Sequence, residues 1–210
     1  MTFLSSLPRT VAALALSAAL ALPAVANDAG ALKALELSAE LYARGLDSDD
    51  PLLIIAAAKL RRDFDFTPDA GTPEGAGTPL TWEQMLDAAR ELAAGDEAML
   101  AMIDDVAEAS SRGVTTGQVY HIKETIDVGG DDVYGPLPFD AGEYAEVYVE
   151  SNDGSDLNLY IYDAEGRLVC SDTDSSSISY CGWRPAEAGV FTIKVENRGA
   201  GNSGYAIMTN

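Results

Sequence analysis

The sequence predicts an α+β protein, with four helices arranged as hairpins in its first half and an antiparallel β-sandwich in its second. Three observations predict it. Residues 29–112 place apolar side chains at helical spacing, and the period changes to strand-like alternation near Gly113. Short β-branched and aromatic runs, separated by Gly, Asp and Asn, then fill residues 114–210.

The chain opens with "MTFLSSLPRTVAALALSAALALPAVA", residues 1–26. Arg9 is its one charge, residues 11–22 are apolar, and Ala24-Val25-Ala26 is a small-x-small cleavage site. This predicts a secretory signal peptide, because the apolar run is too short to span a bilayer. No Cys follows the site for a lipoprotein anchor, and no later run is long and apolar enough to cross a membrane. The expected location is periplasmic or extracellular. The predicted mature chain, residues 27–210, keeps 12 basic residues against 34 acidic ones, a net charge of −22. The acids are spread along the chain as a solvated surface that repels nucleic acid and anionic lipid.

The first helix carries Leu32, Leu35, Tyr42 and Leu46 at helical spacing, with Gly45 near its expected C-terminal stop. Asp50-Pro51 starts the second. Asp suits the N-cap, and Pro suits a first turn where its missing N–H costs nothing. The "LLIIAAAKLRR" run carries this helix to about Arg62. Residues 67–79, "TPDAGTPEGAGTP", read as a flexible loop. Thr81 caps the third helix, with Gln84 completing a capping box. Gly95 ends it, Asp96 caps a fourth that runs to about Ser111, and Gly113 ends that one. The segments 38–60 and 87–109 share one pattern of helix, Gly, Asp cap and helix. That pattern suggests two stacked hairpins or a small four-helix bundle.

The strands follow as "GQVYHIKETI", "AEVYVES", "LNLYIYD", "RLVCSD", "SISYCGW", "VFTIKVEN" and "GYAIMT". Period-2 alternation puts Leu157, Leu159 and Ile161 on one face of their strand, and Phe191, Ile193 and Val195 on one face of theirs. Both sets are expected in the core. Asn158, Tyr160 and Tyr162 then face the other way and form the candidate ligand-binding face. Tyr160, Tyr162 and Trp183 are candidate aromatic platforms, although packing is expected for at least two of the three.

Cys170 and Cys181 are the two cysteines of the chain. The polar tract "DTDSSS" between them reads as a hairpin turn, which would set them opposite each other on paired strands. Their Cα atoms would then lie about 4.5 Å apart, inside the disulfide range. Export supplies the oxidising compartment, so a disulfide is expected over two buried thiols. His121, the one histidine, sits in a predicted strand. No Gly-x-Ser-x-Gly elbow accompanies it, and no catalytic constellation emerges. Asp127, Asp131 and Asp132, and Asp153 and Asp156, are candidate calcium ligands. Asx-rich turns account for both stretches without metal, so no cofactor is expected, with calcium as the one to test.

The segments "DLNLYIYDAEGRLV", "GWRPAEAGVFTIKVEN" and "GNSGYAI" resemble, in order and spacing, the bacterial pre-peptidase C-terminal domain. The strand "AGEYAEVYVES" fits the same pattern more loosely. The resemblance covers roughly residues 117–210. It implies a jelly-roll-like sandwich, related to the collagen-binding domains of secreted collagenases, that takes part in binding, secretion or maturation and is not itself catalytic. Some relatives bind calcium. In that family the domain usually trails a secreted protease, whereas here about 85 residues of helical period precede it. Taken together, the expectation is an exported, non-enzymatic binding protein whose partner is an envelope or extracellular polymer or protein. The alternative is an accessory or regulator of a secreted hydrolase or protease. A hydrolase using acidic residues comes third.

Overall fold

The computed structural model describes residues 30–68, 70, 79–109 and 116–210. The predicted signal peptide, most of the 67–79 loop and the stop at Gly113 lie outside them.

Helix α1 (Ala31–Asp47) begins at Gly30, which offers no side-chain cap. Its cap comes from the β half. The Glu146 carboxylate accepts from the Leu32 and Lys33 amides at 3.4 and 3.2 Å, placing a negative charge where the helix leaves N–H groups unpaired. Glycine is required at position 30 because a Cβ there would stand 1.8 Å from that carboxylate. Helix α2 (Pro51–Arg61) starts as the sequence predicts, with Asp50 accepting from the Leu52 amide at 2.9 Å. Helix α3 (Trp82–Leu92) carries the Thr81–Gln84 capping box. Helix α4 (Glu97–Glu108) is capped by Asp96 and stops short of Ser111.

Gly45 lies in the last turn of α1, near its end as expected, and is buried, so that a Cβ there would meet Ile54 Cγ1 at 2.5 Å. The missing side chain lets α2 lie close against α1. Two expectations for the helices are corrected. Leu46, expected in the apolar stripe, is instead 43% exposed. The helices are also not a self-contained bundle. Ile54, Ala57, Met85, Leu86 and Ile103 form one cluster between α2, α3 and α4. Leu32, Leu35 and Ala39 of α1 instead pack on Tyr148, Ile178, Ala206 and Met208 of the β half.

The described strands form two sheets. One has the order β1 (Phe64–Pro68), β2 (Thr116–Ile126), β9 (Ser203–Thr209), β4 (Ala145–Ser151) and β7 (Ile178–Trp183). The other has the order β3 (Asp131–Phe139), β8 (Gly189–Asn197), β5 (Leu157–Tyr162) and β6 (Leu168–Asp172). Their facing sides make the main core, including Val147, Val149, Leu157, Leu159, Ile161, Phe191, Ile193 and Val195. This is the α+β arrangement and the core alternation that the sequence predicts.

Strand β1 was not anticipated, and it takes the first residues of the expected loop. It pairs parallel to β2. Parallel neighbours need a crossover connection, and α3 and α4 lie on it. The first half therefore contributes a strand to the sandwich. Strand β3 was also unanticipated and runs along the sheet edge.

The hairpin joining β5 and β6 forms as predicted. The Asp163 carboxylate accepts from the Glu165 and Arg167 amides at 3.1 and 2.9 Å and holds the turn. Cys170 and Cys181 are disulfide-bonded, but not across a hairpin. Strand β6 belongs to the four-stranded sheet and β7 to the five-stranded one, so the bond ties the two layers together with a Cα–Cα distance of 5.9 Å. The polar tract between them crosses from one layer to the other.

Candidate functional site

The predicted ligand face lies on the outer side of the four-stranded sheet. Strand β5 is an inner strand there, and its register sets Asn158 beside Glu196, Tyr160 beside Lys194 and Tyr162 beside Thr192. The Tyr160 and Tyr162 rings are nearly parallel, with centroids 6.4 Å apart and an interplanar angle of 17°. The Tyr160 hydroxyl donates to Glu196 Oε2 and accepts from Asn158 Nδ2, both at 3.2 Å. Lys194 Nζ stands 5.8 Å from the Tyr160 centroid, within reach of the ring's negative face.

The three residues are not equally available. Both tyrosines are half-buried, but Asn158 is 7% exposed and acts as a polar support beneath Tyr160. Exposed Val133, Leu168, Val169 and Val190 lie on the same sheet. The third aromatic candidate, Trp183, is in the core. Its ring packs 4.9 Å from Phe139 and 5.4 Å from Phe191.

The candidate calcium ligands do not converge. Asp131 and Asp132 are neighbours on β3 and point to opposite faces. Asp131 reaches Lys194 at 3.9 Å on the outer side. Asp132 accepts from the Tyr205 hydroxyl at 2.9 Å and pairs with Lys123 at 3.4 Å. The Asp127 carbonyl closes the turn by accepting from the Gly130 amide at 2.8 Å. Asp153 Oδ1 already accepts from Ser151 Oγ and Ser203 Oγ, each at 2.7 Å, and from the Ser155 amide at 3.1 Å. The Asp156 carbonyl accepts from the Arg198 and Gly199 amides. Among the described residues no group of three or more His, Cys, Asp or Glu stands close enough to hold a metal ion.

The Asp153 turn has a pH signature instead. Burial opposes ionisation, but the hydrogen bonds from Ser151, Ser203 and Ser155 outweigh it and hold the carboxyl at about 2, below its ordinary 3.8. A depressed folded-state pKa stabilises the fold above the unfolded value, and that stability is lost as pH falls through the folded value. Thermal midpoints of the wild type and Asp153→Asn should therefore differ at pH 6 and draw together between pH 4 and 2. A constant gap across that window would show that the charge plays no part.

His121 is half-buried on β2, with its ring edge-on to Tyr134 at 5.9 Å. Tyr205 donates its proton to Asp132, so in the 2.6 Å contact between the two tyrosine hydroxyls Tyr134 is the donor. This hydrogen-bonded chain joins the two layers.

A cleft of about 630 Å³ opens between α1, the start of α3 and the turn after β4, with Tyr42, Leu46, Gln84, Glu150 and Asn152 among its walls. It is the groove the helices make with the sandwich. Beside it lies a network that no sequence motif announces. Arg61 of α2 is fully buried and donates to both oxygens of Glu150 at 3.1 and 2.9 Å, to the Tyr148 hydroxyl at 3.2 Å and to the Leu80 carbonyl at 2.6 Å.

No protein-family model matches the chain, and no curated protein does. Among solved structures, the chain is similar to the pre-peptidase C-terminal domain of the Bacillus anthracis collagenase, at 15% identity and a TM-score of 0.34 over 41% of this chain and 87% of that one. That is the domain family the sequence motifs resemble. It is also similar to a Yersinia pseudotuberculosis-derived mitogen, at 13% identity and a TM-score of 0.35 over 44% of this chain and 84% of that one. A third is Aeromonas hydrophila PliG, a periplasmic inhibitor of g-type lysozyme, at 14% identity and a TM-score of 0.32 over 44% of this chain and 86% of that one. These likenesses assign no activity.

Proposed function

We propose that this chain is an exported, non-enzymatic binding protein, and that it meets its partner through the outer face of the four-stranded sheet. The observation that carries this reading is the unequal treatment of the two sheets. The helices pack on the five-stranded sheet, where Tyr148, Ala206 and Met208 are buried against α1. The four-stranded sheet turns Tyr160, Tyr162, Lys194 and Val133 outward. Such a surface offers two rigid aromatic rings, one cation and apolar area, which suits an envelope or extracellular polymer or protein. The disulfide accords with an oxidising compartment. No described helix is long and apolar enough to cross a membrane.

The test is a binding screen of immobilised protein against cell-wall glycans, collagen-like peptides and envelope proteins, with and without calcium. Saturable retention of one class, with the retained molecule chemically unchanged, is the expected result. Turnover of a retained molecule, or no retention at all, would sink the proposal. Export has its own check. N-terminal sequencing of the mature protein should begin at Asn27, and an intact mass that keeps residues 1–26 would contradict it.

A further inference from the structure

The cleft of about 630 Å³ beside the Arg61 network is separate from the Tyr160–Tyr162 face, and failure of that face would leave it untouched. Its volume falls within the usual range of ligand pockets. One wall is a single stripe of α1. Ala39, Tyr42, Ala43, Leu46 and Asp47 follow one another at the three- and four-residue steps that set side chains on one helix face. The stripe begins with Leu32 and Leu35, which are buried on the five-stranded sheet. Past Ala39 it lines the cleft instead, and there Leu46 is left 43% exposed.

The charges of the lining have one sign. Asp47 and Glu150 supply them, and no Lys, Arg or His of the described residues joins them. Glu150 is balanced by Arg61, which reaches it from α2 and does not itself line the cleft. Asp47 has no such counter-ion among the described residues; Arg44, one turn earlier on α1, forms no ion pair with it. A third acid acts on the same wall. The Tyr42 hydroxyl has its pKa raised, first by burial and then by the charge of Glu91. That hydroxyl, the Asp47 carboxylate and the Asn152 side chain make no hydrogen bond to any described residue. A ligand here would meet apolar side chains at Leu46, Leu80 and Ile178, unused acceptors, and a negative charge without a partner.

We infer that this cleft takes the cationic side chain, lysine or arginine, of a partner protein, with its aliphatic stem on Leu46 and Ile178 and its charged end at Asp47 and the Tyr42 hydroxyl. Lysine and arginine carry both halves of that chemistry, an apolar stem and a head made only of donors. An anion would face acids and find no base. A neutral aliphatic chain would cover the apolar wall and leave the acceptors to water. The net charge of −21 favours the approach of a basic partner.

The test is a titration of the full chain, read in its amide spectrum, with N-acetyl-lysine amide and with N-acetyl-arginine amide. At least one should give saturable shifts centred on residues 42–47 and 150–152, weaker at high salt. N-acetyl-norleucine amide, which keeps the stem of lysine and loses the ammonium, should bind about fivefold more weakly, the worth of one favourable exposed ion pair. Asp47→Lys should abolish the shifts, and the fold should hold because a cation suits the last turn of a helix. The Tyr160→Ala, Tyr162→Ala variant should bind the probe as wild type does, which separates this site from the sheet face. The inference is overturned if neither cationic probe gives saturable shifts at the cleft, if norleucine amide binds equally well, or if Asp47→Lys still binds. It is equally overturned if n-butylamine binds more tightly than either blocked amino acid, since the ligand would then be a free amine rather than a protein side chain.

Discussion

Arg61→Met should cost about 3–5 kcal/mol of folding stability, because it leaves a buried carboxylate without its counter-ion. The Arg61 side chain has no solvent exposure, and that of Glu150 has 11%. Burial alone would disfavour the charged guanidinium, but the adjacent Glu150 carboxylate and Tyr148 more than reverse that, and the Arg61 pKa is raised. Tyr148, fully buried, donates its hydroxyl to Glu150 Oε2 at 2.8 Å. Burial and then the Glu150 charge push its own pKa up, so it stays protonated and serves as a donor. Arg61 closes α2 while Tyr148 and Glu150 lie on β4, so the substitution also loosens the helices from the sheet. Urea unfolding at pH 7 measures the loss. Arg61→Met combined with Glu150→Leu should recover much of it, since an apolar pair leaves no orphaned charge. A single-variant loss below about 1 kcal/mol would match a solvated surface pair and contradict the buried network.

Replacing both cysteines, as Cys170→Ala with Cys181→Ala, should cost about 3 kcal/mol, the loop-entropy value for a closed loop of this length. The two residues are 11 apart in sequence. Cys181 is completely buried, so alanine is preferred to serine there; a hydroxyl would add a polar-group penalty unrelated to the cross-link. The bond fastens β6 of one sheet to β7 of the other. Its loss should therefore increase amide exchange most in those two strands. An unchanged unfolding midpoint for the double variant would show that the cross-link contributes nothing to the fold.

Local signals are the most legible part of the sequence. Asp50-Pro51, Thr81 with Gln84, and Asp96 each satisfy backbone donors within three residues, and all three caps form. The alternation of β5 and β8 is equally local, and it correctly separates the core leucines from the tyrosines. What was missed depends on distant partners. Strand β1 is five residues long, with Asp65 between Phe64 and Phe66, and becomes a strand by pairing with β2 some fifty residues later. Strand β3 contains Pro136 and Pro138, which argue against an inner strand but are tolerated at the edge it occupies.

Glu146 and Glu150 alternate with valines on β4 and look like solvent-facing acids. Both are buried, one capping α1 and the other holding Arg61, which lies 89 residues away in sequence. The cysteine pairing was legible, but a hairpin and a crossing between layers need similar numbers of polar residues, so the geometry was not. For the candidate site, the alternation gave Tyr160 and Tyr162 their outward direction. It could not reveal that Asn158 is covered, or that Trp183 is buried with an unpaired indole N–H.

The central claim is that the helix-clad sheet holds the molecule together while the open sheet recognises a partner. The most direct test is the affinity of the double variant Tyr160→Ala, Tyr162→Ala for whichever ligand the screen retains. Each ring that stacks on the ligand should be worth about 0.5–1.5 kcal/mol beyond simple area burial. The account predicts binding weakened at least several-fold, with the Cys170–Cys181 bond intact and the helical content unchanged. Wild-type affinity in a folded double variant would contradict it and move the site to the groove between the helices and the sandwich.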